Sequence, residues 1–364
     1  MKRVYIVTFR VILVLVVAFI TAILITLVRR ERVREFGMRS VNDVLGRSVE
    51  IPIQVDSIVC IKASAIRLVS YMGGAPMVCG VEECELKGNP YTHLYANPHL
   101  KHKRCIGPTM GGDAELIAIS MPDVIFTTCS SVSDADLLQS KTGIPVVALD
   151  YGDLGINRDK FNQSLRVIGQ VIGCEERADS LIAYIEGQIE ELANRTLLVE
   201  QDEQKSVYVC GISYKGKKGL SSTDPYYPAL QFLDAENVAW QVDSKLVSPI
   251  NGTIVDVEQI ALWQPDVIFV DHDGLDLVKD DLHRLKMDYP ELYMIWPYNN
   301  THSNFEVMLL NSWYMGKMLY PNAFSDVDFD SKRGEILENF LQQDITDSLL
   351  NSWGEYRKID LYGE

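Results

Sequence analysis

Residues 212 to 228, ISYKGKKGLSSTDPYYP, concentrate Tyr214, Lys215, Lys217, Lys218, Tyr226 and Tyr227 among glycines in an otherwise acidic chain. Ammonium groups attract anions and tyrosine rings offer flat contact surface, so the loop reads as a grip on an anionic, aromatic or metal-chelate ligand. The plainer alternative is a solvated basic loop. It holds no GxxxxGK[ST] or GxGxxG arrangement, which speaks against a nucleotide. A second candidate is PYNNTHSN, residues 297 to 304, where His302 stands beside Tyr298, Asn299 and Asn304 as a metal ligand or a donor to a bound compound. His93, His99 and His102 share the loop 82 to 110, but their spacing matches no standard ligand pattern and they read as surface residues. No nucleophile elbow, HExxH helix or paired-carboxylate site is present, so nothing in the pattern points to catalysis.

Alternating strands and helices must position these groups. The runs SIVCIKAS (57 to 64), MVCGV (77 to 81), PVVALD (145 to 150) and SVYVCGI (206 to 212) are strand-like, and helical spacing separates them. Residues 115 to 126, ELIAISMPDVIF, recur as EQIALWQPDVIF at 258 to 269. Each copy predicts a short helix, stopped by Pro122 or Pro265, and a strand buried on both faces. Such a repeat implies two lobes on one plan, each with a parallel sheet. In open α/β sheets ligands bind beyond the carboxyl ends of the strands. That rule selects Ala63, Ser64, Glu82, Glu83, Cys129, Ser130, Ser131, Tyr151 and Gly152 in the first lobe, and Ser213, Tyr214, Lys215, His272, Tyr298 and Asn299 in the second. From Arg158 to Asn194 apolar residues recur at threes and fours without a proline, predicting one long helix or two abutting ones with Gly173 as the weak point. This is the bridge between lobes.

The chain has 364 residues, 47% of them hydrophobic, enough for two cores. Its formal charge of −16 argues against nucleic acid as a partner, because phosphate neutralisation needs a basic surface. Val11 to Val28 is an unbroken apolar run without a charge, long enough to span a membrane, and Thr26 to Arg29 offer no small-residue cleavage site. We read an uncleaved signal anchor and tether over 1–35, with a charged stretch leading on to 50. Lobe one then covers 50–156, the interlobe helix 157–198, lobe two 205–345 and a tail 346–364. The 7 cysteines are scattered; Cys60, Cys129 and Cys210 fall in apolar runs, whereas Cys84 and Cys105 flank a polar loop and could bridge it if that loop is extracytoplasmic.

The paired PDVIF segments, GISYKGKKGLSSTDPYYPALQFLDAENVA and SWYMGKMLYPNAFSDVDF together resemble the extracytoplasmic solute-binding proteins of ABC transporters for iron complexes and cobalamin, over about residues 50 to 345. The resemblance implies two α/β lobes joined by one long backbone helix, no enzymatic activity, no cofactor, a monomer anchored outside the cell membrane, and an ABC permease as partner. It implies capture of a metal chelate of the ferric-siderophore type between the lobes, with cobalamin or haem as rival ligands and a chelatase-like metal-insertion enzyme as the rival of another class. The ligand set would be Ser64, Glu82, Ser130, Tyr151, Tyr214, Lys215, Lys218, Tyr226, Tyr227, His272, Tyr298 and His302. In that family acidic patches on both lobes face the permease, which here implies Glu82, Glu83 and Glu85 on lobe one and Asp234 and Glu236 on lobe two. Two departures stand out: there is no lipidated N-terminal cysteine, and the segment Leu282 to Trp296 looks short for the helix and strand that normally precede the Pro297-Tyr298 loop.

Overall fold

A computed structural model describes residues 37–88, 90–200, 203–213, 216–242, 252–287, 291–300 and 302–361. The expected anchor over 1–35 lies outside these residues; among the described residues no helix is long and apolar enough to cross a membrane. The uncharged runs IVCI, VCGV, VIFT and VVA form strands whose side chains are nearly all buried, as strands covered on both faces require. With Arg104–Cys105 they make a parallel five-stranded sheet in the order Arg104–Cys105, Val78–Val81, Ile58–Ile61, Val124–Thr127, Val146–Ala148. The second sheet runs Glu236–Asn237, Ser206–Cys210, Val267–Asp271, Leu292–Ile295, Arg357–Lys358, parallel except for its last strand.

The sequence repeat is a structural repeat. In each copy a short helix (Ala114–Ser120, Val257–Trp263) ends on a left-handed residue, Met121 or Gln264, ahead of the proline. The strand that follows lies inside its sheet. The aspartate of each Pro-Asp pair clamps the serine that opens the neighbouring strand. Asp123 accepts from the Ser57 backbone N–H and hydroxyl, both at 2.9 Å, and Asp266 accepts from the same two groups of Ser206, both at 2.8 Å. Pro-Asp is therefore a strand-registration device.

Two boundaries differ from expectation, and the bridge takes the second of its two expected forms. The stretch leading to residue 50 is no extended tether throughout: Met38–Asn42 and Ser48–Pro52 pair as an antiparallel hairpin. Alternation buries Val41, Val49 and Ile51, while Asp43 caps the turn by accepting from the backbone N–H groups of Leu45 and Arg47. The bridge is two helices, Arg158–Ile172 and Glu175–Thr196, broken at Gly173 with φ of 72°. The second, 22 residues and about 33 Å long, connects the lobes. Near its start Arg177 donates to carbonyls of Tyr71 and Phe340, one in each lobe. The expected tail belongs to lobe two, because Trp353 and Tyr356 pack on the buried Trp296 and Arg357–Lys358 extends the sheet. The segment that looked short does hold a helix, Leu275–Leu285, and a strand, Leu292–Ile295. Cys84 and Cys105 are free thiols: Cys84 is buried beside Glu85, and Cys105 faces the Gly107 carbonyl.

Candidate functional site

The carboxyl ends of both sheets meet at the lobe boundary. On lobe one, Lys62 follows the strand Ile58–Ile61 in a left-handed conformation and reaches Ser130, its Nζ donating to Oγ at 2.8 Å. Glu82, which follows the strand Val78–Val81, is only 4% exposed. Its carboxylate accepts the backbone N–H groups of Lys62 (3.2 Å), Met110 (3.3 Å) and Gly111 (2.6 Å), so it fastens two loops together. Burial raises its pKa, and those three bonds oppose the rise. Half-buried Tyr151 follows the last strand of the sheet; burial, then neighbouring Cys129, pushes its hydroxyl pKa up.

On lobe two, Asp271 ends the strand Val267–Asp271 and its buried carboxylate holds the backbone N–H groups of Asp273 and Tyr298. Those bonds place the Tyr298 ring. Burial raises the Tyr298 pKa most, followed by Asp153 of lobe one, with Asp224 and Tyr151 adding. Asp224 itself is pushed up to about 6 by burial, with Asp153 adding and a bond from the Tyr226 N–H opposing. Two tyrosines and two aspartates, one of each from either lobe, thus lie near one another at the boundary, with Asp153 itself accepting from the backbone N–H groups of Gly155 and Asn157. Asn299 reaches back to the Ser213 carbonyl at 2.9 Å, holding the hairpin 299–303 over the second sheet's end.

The boundary floor is crossed by side chains missing from the sequence-derived set. Arg67 Nη1 donates to the Ser303 carbonyl at 2.9 Å, the Tyr71 hydroxyl donates to Glu306, and Thr92 faces Asn304 at 3.5 Å. Arg67 is the lone charge in AIRLVSY and Glu306 the lone charge in the first turns of FEVMLLNSWYMGKML. A charge inside an apolar helix signals a buried polar partner, and that signal was legible.

Of the expected ligand residues, Ser64, Ser130, Tyr151, His272 and Tyr298 stand at strand carboxyl ends around the boundary. Tyr214 and Lys215 lie outside the described residues, and of His302 only the backbone, in the hairpin, is described. Lys218 is half-buried, and Tyr226 packs edge-on against the exposed Trp240 at 4.9 Å. Tyr227 is no contact surface: it is 1% exposed, and its hydroxyl accepts from Asn311 inside lobe two. His93 likewise is buried, not on the surface, with Nε2 2.7 Å from Glu85. That pairing, with Glu85 3% exposed, removes Glu85 from any docking surface along with Glu82; Glu83 remains exposed. Asp234 and Glu236 are exposed, but Glu236 pairs with Ser206 at the amino end of its neighbouring strand, away from the end where Glu83 sits in lobe one. The two acidic sets therefore do not share an equivalent face. Among the described residues no three His, Cys, Asp or Glu side chains group as a metal site.

The chain thus has two α/β lobes, a connecting helix and a polar boundary at the strand carboxyl ends. Residues 86–231 match the family model described as periplasmic binding protein, in agreement with the resemblance seen in the sequence. It is 23% identical over 332 residues to the molybdate-binding protein MolA of Haemophilus influenzae, covering 83% of this chain and 90% of that protein. The solved structure of MolA bound to molybdate superposes with a TM-score of 0.64 at 21% identity, over 85% of this chain and 99% of that one. A periplasmic solute-binding protein from Veillonella parvula gives a TM-score of 0.67 at 17% identity, over 87% and 96%. CeuE of Helicobacter pylori with Ni(II) bound gives 0.60 at 14%, over 85% and 98%.

Proposed function

We propose that this protein is the solute-binding component of an ABC importer and captures a small metal-containing solute between its lobes for delivery to a membrane permease. The observation that carries the reading is the polar boundary at the strand carboxyl ends of two parallel sheets, where Lys62 reaches Ser130, Glu82 fastens its loops and Asn299 reaches Ser213, at the place where the strand-end rule puts a ligand. Relatives described as binding molybdate and Ni(II) support a metal-containing solute. A ferric siderophore is the chelate we expect; molybdate is the simpler solute that the likeness to MolA brings forward. Cobalamin or haem would need a broad ring surface, and the burial of Tyr227 leaves less of it. No bond is made or broken in this reading.

Thermal shift of the full-length protein against ferric siderophores, molybdate, haem and cobalamin tests it. A ligand at a hundred times its dissociation constant stabilises by roughly 2.7 kcal/mol. No stabilisation by any member of the panel would count against capture of a metal-containing solute. The globular part is proposed to be extracytoplasmic, and resistance of the domain to protease added to intact cells lacking an outer barrier would contradict that.

A further inference from the structure

Two charged side chains at the lobe boundary have 0% exposure, Arg67 of lobe one and Glu306 of lobe two. Each uses only part of its hydrogen-bonding capacity. Arg67 Nη1 donates to the Ser303 carbonyl at 2.9 Å, while Nε and Nη2 have no acceptor among the described residues. Glu306 Oε2 accepts from the Tyr71 hydroxyl, while Oε1 has no donor among them. A buried charge with an open edge is costly. The open groups are complementary, donors on the guanidinium and an acceptor on the carboxylate, so each is the partner that the other lacks.

Both side chains belong to one array. Arg67 and Tyr71 stand one turn apart on the helix Ala65–Tyr71 and so share a face. The groups they reach, Ser303 and Glu306, are three residues apart at the entry to the helix Phe305–Leu319, whose first backbone N–H also meets the Tyr71 hydroxyl at 3.3 Å. The Tyr91 ring lies under the guanidinium at 6.0 Å, and its neighbour Thr92 faces Asn304. Guanidinium and carboxylate are therefore carried on packed helices of different lobes and tied through Tyr71, yet no ion pair joins them among the described residues.

We propose that Arg67 and Glu306 form an interlobe latch, open in the ligand-free protein and closed, Nε and Nη2 onto Oε1, when a bound solute draws the two helices together. Closing it satisfies both buried charges at once, and such a bond is stronger in a low-dielectric interior than at a surface. A solute that binds the closed arrangement better shifts the population toward it. The latch in turn raises solute affinity by the same coupling without touching the solute, so Arg67 and Glu306 act as positioning residues. Neither group needs a partner from outside the protein. The proposal rests on the solute-binding reading, since the solute supplies the difference between the two arrangements.

Calorimetric titration of the full-length protein with sodium molybdate, ferric citrate, haem and cobalamin finds a working probe, which is then titrated into Arg67→Met, Glu306→Gln and the double variant. Glu306→Gln keeps an acceptor for Tyr71. Each single substitution is expected to weaken the probe about tenfold and the double no more than either single, because both remove the same bond. Arg67→Lys, which keeps the charge, is expected to recover part of the loss. In spectra of isotope-labelled arginine the Arg67 Nε–H resonance, assigned by its disappearance in Arg67→Lys, is expected to move on saturation in wild type and to stay in place in Glu306→Gln. Should Arg67→Met fail to fold, Glu306→Gln and these spectra carry the test. Losses that multiply in the double variant, unchanged affinity in the singles, or a resonance that moves equally in Glu306→Gln overturn the latch and leave the solute-binding reading standing. Binding of no probe overturns both.

Discussion

At the scale of single residues, the chemistry divides into groups that hold loops and groups left open at the lobe boundary. Glu82 shows why type and position alone mislead: an acid after a strand looks like a docking or ligand group, but three backbone N–H groups claim its oxygens. Asp224 provides a pH test. Its folded-state pKa is raised to about 6, so the folded protein holds that proton more tightly than the unfolded chain, whose aspartate titrates near 3.9. The sign follows: stability falls as pH rises from about 4 to about 6 and is then level. Asp224→Asn, which keeps an acceptor for Tyr226, is expected to stabilise the protein by about 1–3 kcal/mol at pH 7.5 and by almost nothing at pH 4. Urea unfolding at both pH values measures the difference, and equal gains at the two would contradict the shift. The Pro-Asp clamps make a second prediction. Asp266→Ala leaves the partly exposed start of Ser206–Cys210 without its acceptor and is expected to cost about 0.5–1.5 kcal/mol, with Asp123→Ala similar in lobe one.

At the scale of elements, most helices and strands follow from local pattern, and the exceptions lie where distant parts meet. The helix Phe305–Leu319 is buried from Phe305 through Gly316, which suits a run so apolar, and Glu306 survives there only because Tyr71 reaches it from the other lobe. The last helix, Thr346–Trp353, looks like an amphipathic tail until its partner is known. Trp353 meets Trp296 at 5.6 Å between ring centres, the Trp296 indole N–H donates to the Gly354 carbonyl, and the Tyr356 hydroxyl donates to Asn311. Trp353→Ala is therefore expected to cost about 3–5 kcal/mol, as core tryptophans do. A loss below about 1 kcal/mol in chemical denaturation would return this helix to the status of a tail.

At the scale of the whole molecule, the lobes are bound into one body. A single hydrophobic cluster runs from Val41 in the N-terminal hairpin through both lobes to Ile359, and Phe161 meets Phe305 across the boundary at 4.6 Å. Side-chain bonds reinforce it, from Arg67 to Ser303 and from Tyr95 to Ser352. Cooperative unfolding follows when the lobes share their core, so calorimetry is expected to show one transition for the ligand-free protein. Two separable transitions, one removed by a lobe-specific substitution such as Asp266→Ala, would mean the lobes fold independently.

The repeat of Pro-Asp-Val-Ile-Phe, its short helices and its buried strands were legible because they are local: proline placement, β-branched runs and three-and-four spacing act within a dozen residues. Gly173 as the break in the long helical stretch was legible for the same reason, a glycine being the residue that tolerates the left-handed turn there. The loop 212 to 228 drew attention through composition, and composition does not say which ring faces in; Tyr227 turned into the core to meet Asn311, while Tyr226 stayed outside against Trp240. Arg67 and Glu306 are separated by most of the chain, and their surroundings exist only once the lobes close on each other. Burial, the unmet donors of Arg67 and the acidity of Asp224 are properties of that closure, because desolvation depends on what covers a group and the covering atoms come from the other lobe.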